Sequence, residues 1–581
     1  MTRPFRDRLA NRYAAWAARK APPSHGLACR PEPLSLGEFS KAKQLLAGQI
    51  SFGGEMVLAP GRSLWQITPP SRDFAEAAHG FGWLDDLVAL GGSAPRALAQ
   101  TWTKEWLARY GRIKAFGNAE GAEAAWQPQV TGRRISRLLH HFAFVTYGLP
   151  PEERNGLVQE ILASLSRQAA YLSRRAASAP AGLPRFEAYL GELYAGLMLE
   201  DMGDHTEKAL AGLVAEAETQ INASGAMASR NPERLAEALL VLGWAAQGLS
   251  DLGQTPPEPI LAALDRAAVE LRVLRHADGA LPRMHGSMGG HEMRLDQALT
   301  FSAARPKAGP IHSAMGYLRL HGGRTSLIID AESPPSGSHA ASAHASTCAI
   351  ELTSGRRPLL VSCGSGRAFG PDWHKAGRAT QSHSALSLDG LSSSRFGRGK
   401  EAEKLAHRAK IIALETSQGD GAFAVVGHDG YSASHGLTTA REVQLSFDGR
   451  RLNGWDTLIA HTAAEQAQLS RHLKKAGPID FTIHFHLHPE VQATLDPGGS
   501  TVLLELASGE VWVFRHDGQA RLQLLPSAYL QEGQEKPRAC RQITLSAQVN
   551  AYETRIGWTL AKSHDTALAI RDLDHDDPLP I

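Results

Sequence analysis

Residues 313–352 read SAMGYLRLHGGRTSLIIDAESPPSGSHAASAHASTCAIEL, and residues 353–390 continue TSGRRPLLVSCGSGRAFGPDWHKAGRATQSHSALSLDG. Short apolar runs such as YLRLHG, TSLIID, CAIEL, PLLV and ALSL alternate here with Gly, Ser and Asp turns. That is the pattern of antiparallel strands joined by hairpins. Two histidines stand where strands begin, His344 before ASTCAIEL and His383 before SALSLDG. Downstream the pattern recurs in AKIIALETS, AFAVVGHDG, EVQLSFDG, RLNGWDTLIA, IDFTIHFHLH, TVLLELASG, EVWVFRHDG, QITLSAQ and TRIGWTLA. So many strands with turn signals predict a large antiparallel β-sandwich.

Upstream the period changes. FAEAAHGFGWLDDLVAL, APRALAQTWTKEWLARY, RISRLLHHFAFVTYGL, EERNGLVQEILASLSRQAAYLSRRA and PERLAEALLVLGWAAQGLSDLG place apolar residues three and four apart, as helices do. Joints such as SAPAGLP and DLGQTPPEP separate them. Helices in series with short loops suit hairpins stacked around a ring better than one four-helix bundle. The change of character at ARPKAGP divides the chain into a helical domain over 1–305 and a sandwich domain over 306–581. An α-helical half followed by a sandwich is expected to form a groove that suits a long polymer.

At 581 residues the chain is too long for one core. A hydrophobic content of 43% and a charged content of 21% are those of a globular protein. The net charge of +2 argues against a general nucleic-acid binder and leaves room for a local basic cleft. The four cysteines, Cys29, Cys348, Cys363 and Cys540, form no CxxC pair, which argues against zinc ribbons and thioredoxin-type chemistry. Cys348 and Cys363 read as buried thiols, with a disulfide between them left open. The basic, amphipathic start MTRPFRDRLANRYAAWAARK lacks the apolar core and cleavage site of a signal peptide, and no run reaches the roughly 18 apolar residues of a spanning helix. The last residues, DLDHDDPLPI, read as an acidic, loosely held tail. Oligomeric state is not legible.

No P-loop, GxGxxG, HExxH or GxSxG motif is present. Chemistry therefore has to come from His, Arg, Asn and carboxylates. His383 is either a general base at a strand edge or a ring satisfied by backbone. His484, His486 and His488 alternate along one strand, a geometry open to metal binding or to plain sheet packing. His428 in HDGY reads as a turn residue first. The loop RHADGALPRMHGS, with His276, Asp278, Arg283 and His285, is either an anion-binding or a plain connecting loop. Asn231, before Pro232, is placed to cap a helix, which competes with a substrate role.

The chain resembles the heparinase II/III-like family. The resemblance rests on FGWLDDLVALGG, WQPQVTGRRIS, LPRFEAYLGELYAGLML and ASRNPERLAEALLVL in the helical part. In the sandwich it rests on SHAASAHASTCAIEL, SCGSG, RATQSHSALSLDG, GHDGY, REVQLSFDGRRLNGWDTL and HFHLHP. It implies an incomplete (α/α) toroid followed by a large antiparallel β-sandwich. It also implies a lyase that cleaves uronic-acid-containing glycans by β-elimination in the cell envelope or periplasm, with a cytoplasmic place as the alternative.

In such a lyase a base removes the C5 proton, the C4 oxygen leaves, and donors neutralise the developing carboxylate dianion. The resemblance implies catalytic roles for His383, Asn231 and Arg230, and substrate contacts for Arg134, Arg283, His285, His344 and Arg378. No cofactor is required; His428 is the candidate ligand of a structural divalent metal. Three departures favour a non-catalytic glycan-binding or envelope protein on the same scaffold. The helical loop carries no tyrosine, Met227 stands where relatives often carry histidine, and Ala385 replaces a possible ligand two residues after His383. Tyr189, Tyr194, Tyr317 and Tyr431 remain as proton donors.

Overall fold

The computed structural model describes residues 3–113, 122–531, 534 and 536–563. The C-terminal segment 572–581 lies outside the described residues. The chain divides into two compact units. One comprises Met1–Gly225, Ala236–Ala268 and Met293–Ala304; the other comprises Ala226–Leu235, Val269–Glu292 and Arg305–Ile581. Two pieces of the helical sequence thus group with the strands. They carry Arg230, Asn231, Arg283 and His285.

The first unit is built of helices such as Ser93–Tyr110, Pro128–His140, Pro151–Arg175, Leu183–Met198 and Asp204–Gln220. Its helix starts follow the expected chemistry: Ser71 Oγ accepts the Phe74 N–H, and Pro128 and Pro151 open their helices. Pro128–His140 packs closely on Leu183–Met198 because both present glycine. A Cβ on Gly132 would lie 2.1 Å from the Glu187 carbonyl oxygen, and one on Gly191 would lie 2.4 Å from Gly132 Cα. A short hairpin, Gln49–Phe52 with Glu55–Leu58, is the strand pair that the helical periodicity concealed.

The second unit is the sandwich. Its eight-stranded sheet runs Ile411–Gln418, Gly421–Tyr431, Leu437–Ser446, Arg451–Ile459, Glu553–Lys562, Val511–His516, Thr501–Glu505 and Gln492–Leu495. The facing sheet is nine-stranded and contains Ile311–Ala314, Tyr317–Gly322, Thr325–Asp330, Ile350–Ser354, Arg357–Val361 and Ile479–Leu487. Alternate side chains from both sheets form one core, in which Phe485, Phe514 and Trp558 pack ring on ring.

A buried ion pair crosses this core. Arg441 binds both oxygens of Asp456, at 2.8 and 3.0 Å, and donates to the carbonyls of Cys348 and Ser384. Cys348 and Cys363 are both free thiols, so the open disulfide question is answered. Among the described residues, no helix is long and apolar enough to cross a membrane.

Candidate functional site

The residues singled out at the strand starts converge inside the second unit. Asp330 ends the strand Thr325–Asp330, and the chain around it brings Arg230, His285, His344, His383 and Tyr317 together. Arg230 Nη2 lies 2.6 Å from Asp330 Oδ1, His285 Nε2 lies 3.2 Å from Asp330 Oδ2, and Ser346 Oγ donates to the same oxygen at 2.6 Å. His344 Nδ1 is 3.2 Å from His383 Nε2. His285, His344, His383 and Asp330 are all 0% exposed.

These contacts fix where the protons sit. Burial lowers the affinity of all three histidines for a proton; His383 falls to about 3, and His285 and His344 lie below the ordinary range. The rings are therefore neutral, each with one N–H. His285 Nδ1 accepts the His344 backbone N–H at 3.1 Å, and its Nε2 lies 3.2 Å from both Asp330 Oδ2 and Arg230 Nη1. His344 Nε2 accepts the Gly286 N–H at 3.0 Å, so its Nδ1–H is donated to His383 Nε2. His383 then carries its proton on Nδ1, which is buried and has no hydrogen-bond partner. The only lone pair of His383 is engaged by another histidine.

The charged pair beneath is closed in the same way. Burial alone would push the Asp330 carboxyl up, but Arg230 and His285 more than reverse this and hold it ionised well below the usual carboxylate range. The Arg230 guanidinium donates to Asp330 and to the carbonyls of Met315, Gly316, Glu332 and Ser333. Arg230, His285 and Met315 all adopt left-handed backbone, with φ of 50°, 52° and 48°. Such strain persists only where the surroundings over-determine it, as this hydrogen-bond set does.

The other arginines expected to face substrate are bound to backbone instead. Arg283 donates to the carbonyls of Ser362, Met288, Cys363 and Leu530, with its guanidinium 4.0 Å from the Tyr529 ring centre. Arg378 holds the carbonyls of Ala343, Glu403 and Ala340. Arg134, in the helical unit, donates to Gln168 Oε1 and to the carbonyls of His79 and Ala125, over the Trp106 ring. All three are at most 6% exposed. An arginine at a strand or helix junction reads the same in sequence whether it meets a ligand or its own carbonyls.

Asn231 caps its helix: Oδ1 accepts the Arg234 N–H at 3.1 Å. The phenols of Tyr194, Tyr317 and Tyr431 donate to the carbonyls of Trp244, Arg230 and Leu386, and Tyr189 is half-buried in the helical unit. His428 Nδ1 accepts the Gly430 N–H at 3.1 Å, the turn role. His484 bridges Ser387 and Gln542, and His486 bridges Ser527 and the Gln381 carbonyl. Among the described residues no three His, Cys, Asp or Glu side chains are placed to hold a metal ion. Sequence reasoning missed Asp330 and Ser346. The one signal for Asp330 was an acidic residue closing the otherwise apolar run TSLIID.

Comparison with known proteins gives four likenesses. Residues 304–559 match the model of the "Heparinase II/III-like, C-terminal" family. "FtsZ-localized protein C" of Caulobacter vibrioides (strain NA1000 / CB15N) is 29% identical over 555 residues, spanning 93% of this chain and 91% of that protein. A crystal structure of Heparinase III superposes with a TM-score of 0.67 at 15% identity, covering 97% of this chain and 92% of that one. The heparan sulfate lyase of Pedobacter heparinus does so with a TM-score of 0.57 at 15% identity, over 95% and 87%. At such identities the two structures show the shared fold alone.

Proposed function

From a chain that belongs to the heparinase II/III-like family through its C-terminal domain, we propose a non-catalytic protein of the FtsZ division site, built on a polysaccharide-lyase scaffold. The observation that carries this reading is the state of His383. A lyase base needs a lone pair within hydrogen-bond reach of the C5 proton. In this chain the His383 lone pair accepts from His344, and the ring is fully buried. The group that would neutralise a uronate carboxylate, Arg230, is already held by Asp330 and four carbonyls. The constellation is an internal support for three left-handed residues, Arg230, His285 and Met315, rather than a place for a sugar.

The place of action rests on the relative from Caulobacter vibrioides, whose name states that it localises with FtsZ and which is similar along 93% of this chain. Fold similarity to lyases does not by itself settle function. The expected result is co-sedimentation of the purified chain with polymerised FtsZ from the same organism, and a fluorescent fusion that follows the FtsZ ring through the cell cycle. A protein that stays in the supernatant and a fusion that stays diffuse would contradict the reading.

A further inference from the structure

Residues 395–410, RFGRGKEAEKLAHRAK, hold six Lys or Arg against two Glu, while the whole chain carries a net charge of only +2. They form a hairpin on the second unit. Leu405 and His407 pair with Phe396 and Arg395, and the Gly397 N–H bonds the Lys404 carbonyl at 3.0 Å. Its loop turns outward: Arg398, Lys400 and Arg408 are exposed, and so are Ala402 and Ala406. Of the two glutamates, Glu401 is taken by Lys404 at 3.0 Å, and Glu403 is exposed.

A second basic and aromatic element adjoins it. The short helix Pro371–Gly377 exposes Trp373 (40%) and Lys375, whose Nζ lies 5.8 Å from the Phe396 ring centre. From beneath, the buried Arg378 guanidinium lies 4.8 Å from the same ring and binds the Glu403 carbonyl. This fixes the hairpin and the helix to each other. Asp372 is the one carboxylate that this helix adds.

We propose that this surface docks an acidic, extended segment of a protein partner. The inference rests on the division-site reading above and names the chemistry of a partner there. Charge complementarity selects an acidic ligand. The composition of the hairpin selects protein over glycan. Sugar hydroxyls are recognised by amide, carboxylate and hydroxyl side chains, yet residues 395–410 offer no amide or hydroxyl, and of their two carboxylates Glu401 is bound to Lys404. Beside the exposed His407 ring, the remaining groups offered are apolar: Ala402, Ala406 and the Trp373 face. They suit a peptide that alternates acidic with apolar side chains.

The test uses the full chain and a synthetic twenty-residue probe of alternating Glu and Leu or Phe, with binding followed by fluorescence anisotropy at several salt concentrations. The expected result is binding that weakens with salt, falls roughly tenfold in Arg398→Glu/Lys400→Glu and falls about threefold in Trp373→Ala. All three positions are exposed, so the thermal midpoint should not move.

Binding that is unchanged in the charge-reversed variant overturns the proposal. Tighter, variant-sensitive binding of heparin or of phosphatidylglycerol vesicles overturns it too, in favour of a glycan or a membrane. In cells, a wild-type fusion at the FtsZ ring with the variant there as well sinks the inference alone. A wild-type fusion that never reaches the ring sinks the division-site reading.

Discussion

Replacing Arg230 with Met is expected to destabilise the sandwich unit by about 3–5 kcal/mol, the range for breaking one side of a buried ion pair. The size follows from what is left behind. Asp330 is 0% exposed and ionised, and it would lose its 2.6 Å partner. Four carbonyl oxygens would lose their donor at the same time. Methionine fills much of the volume, so the loss is electrostatic rather than a cavity effect. The double variant Arg230→Met/Asp330→Asn should recover part of the loss, because it removes the orphaned charge. A double-mutant cycle in urea measures the coupling. A single-variant loss below about 1 kcal/mol would mean that the pair is solvated, and the closed description of the site would fail.

Acid should unfold this protein early. Burial holds His383 at about 3 and His428, His484 and His486 at about 4, all below the ordinary value of 6.5. Between 6.5 and 4 the unfolded chain binds protons that the folded chain refuses, so stability falls as the pH drops through that window. Above 6.5 both states are neutral at these rings and the contribution is complete. Each ring withdraws roughly 1.4 kcal/mol per pH unit across the window. Four acting together make the slope steep. Urea midpoints followed by near-ultraviolet circular dichroism from pH 7.5 to 5 should show a decline that begins near 6.5. A flat profile to pH 5 would show that these rings are charged or solvent-accessible in the folded state.

The two predictions bear on different parts of what sequence could reveal. Strands announced themselves where one face is apolar and a Gly or Asp turn follows, as in Thr325–Asp330, Gly421–Tyr431 and Arg451–Ile459. Arg521–Tyr529 did not, because Pro526 sits within it; it is an edge strand, where proline is tolerated. The helix Ala463–Ala476 was also passed over amid strands, although Thr462 and Glu465 form a complete capping box at its start.

The site was legible as a set of residues but not as a state. The histidines at the strand starts do meet, as do Arg230 and His285 from the helical stretch. Which nitrogen of His383 carries the proton depends on the Gly286 N–H and on the His344 ring it fixes, contacts across 58 and 39 residues of chain. No local pattern encodes such contacts. The arginines illustrate the same limit. Arg283 and Arg378 had the positions of ligand-binding residues, and the fold gives their donors to carbonyls that only three-dimensional packing brings near.

The central claim is that the His383 constellation is an internal support and not a catalytic centre. Its most direct test is incubation of the purified chain with heparan sulfate, chondroitin, alginate and polygalacturonate, while the ultraviolet absorbance of a 4,5-unsaturated uronate product is followed. The account predicts no product from any polymer, in the wild-type chain and in His383→Ala alike. Product formed by the wild-type chain and abolished in a folded His383→Ala variant would contradict it.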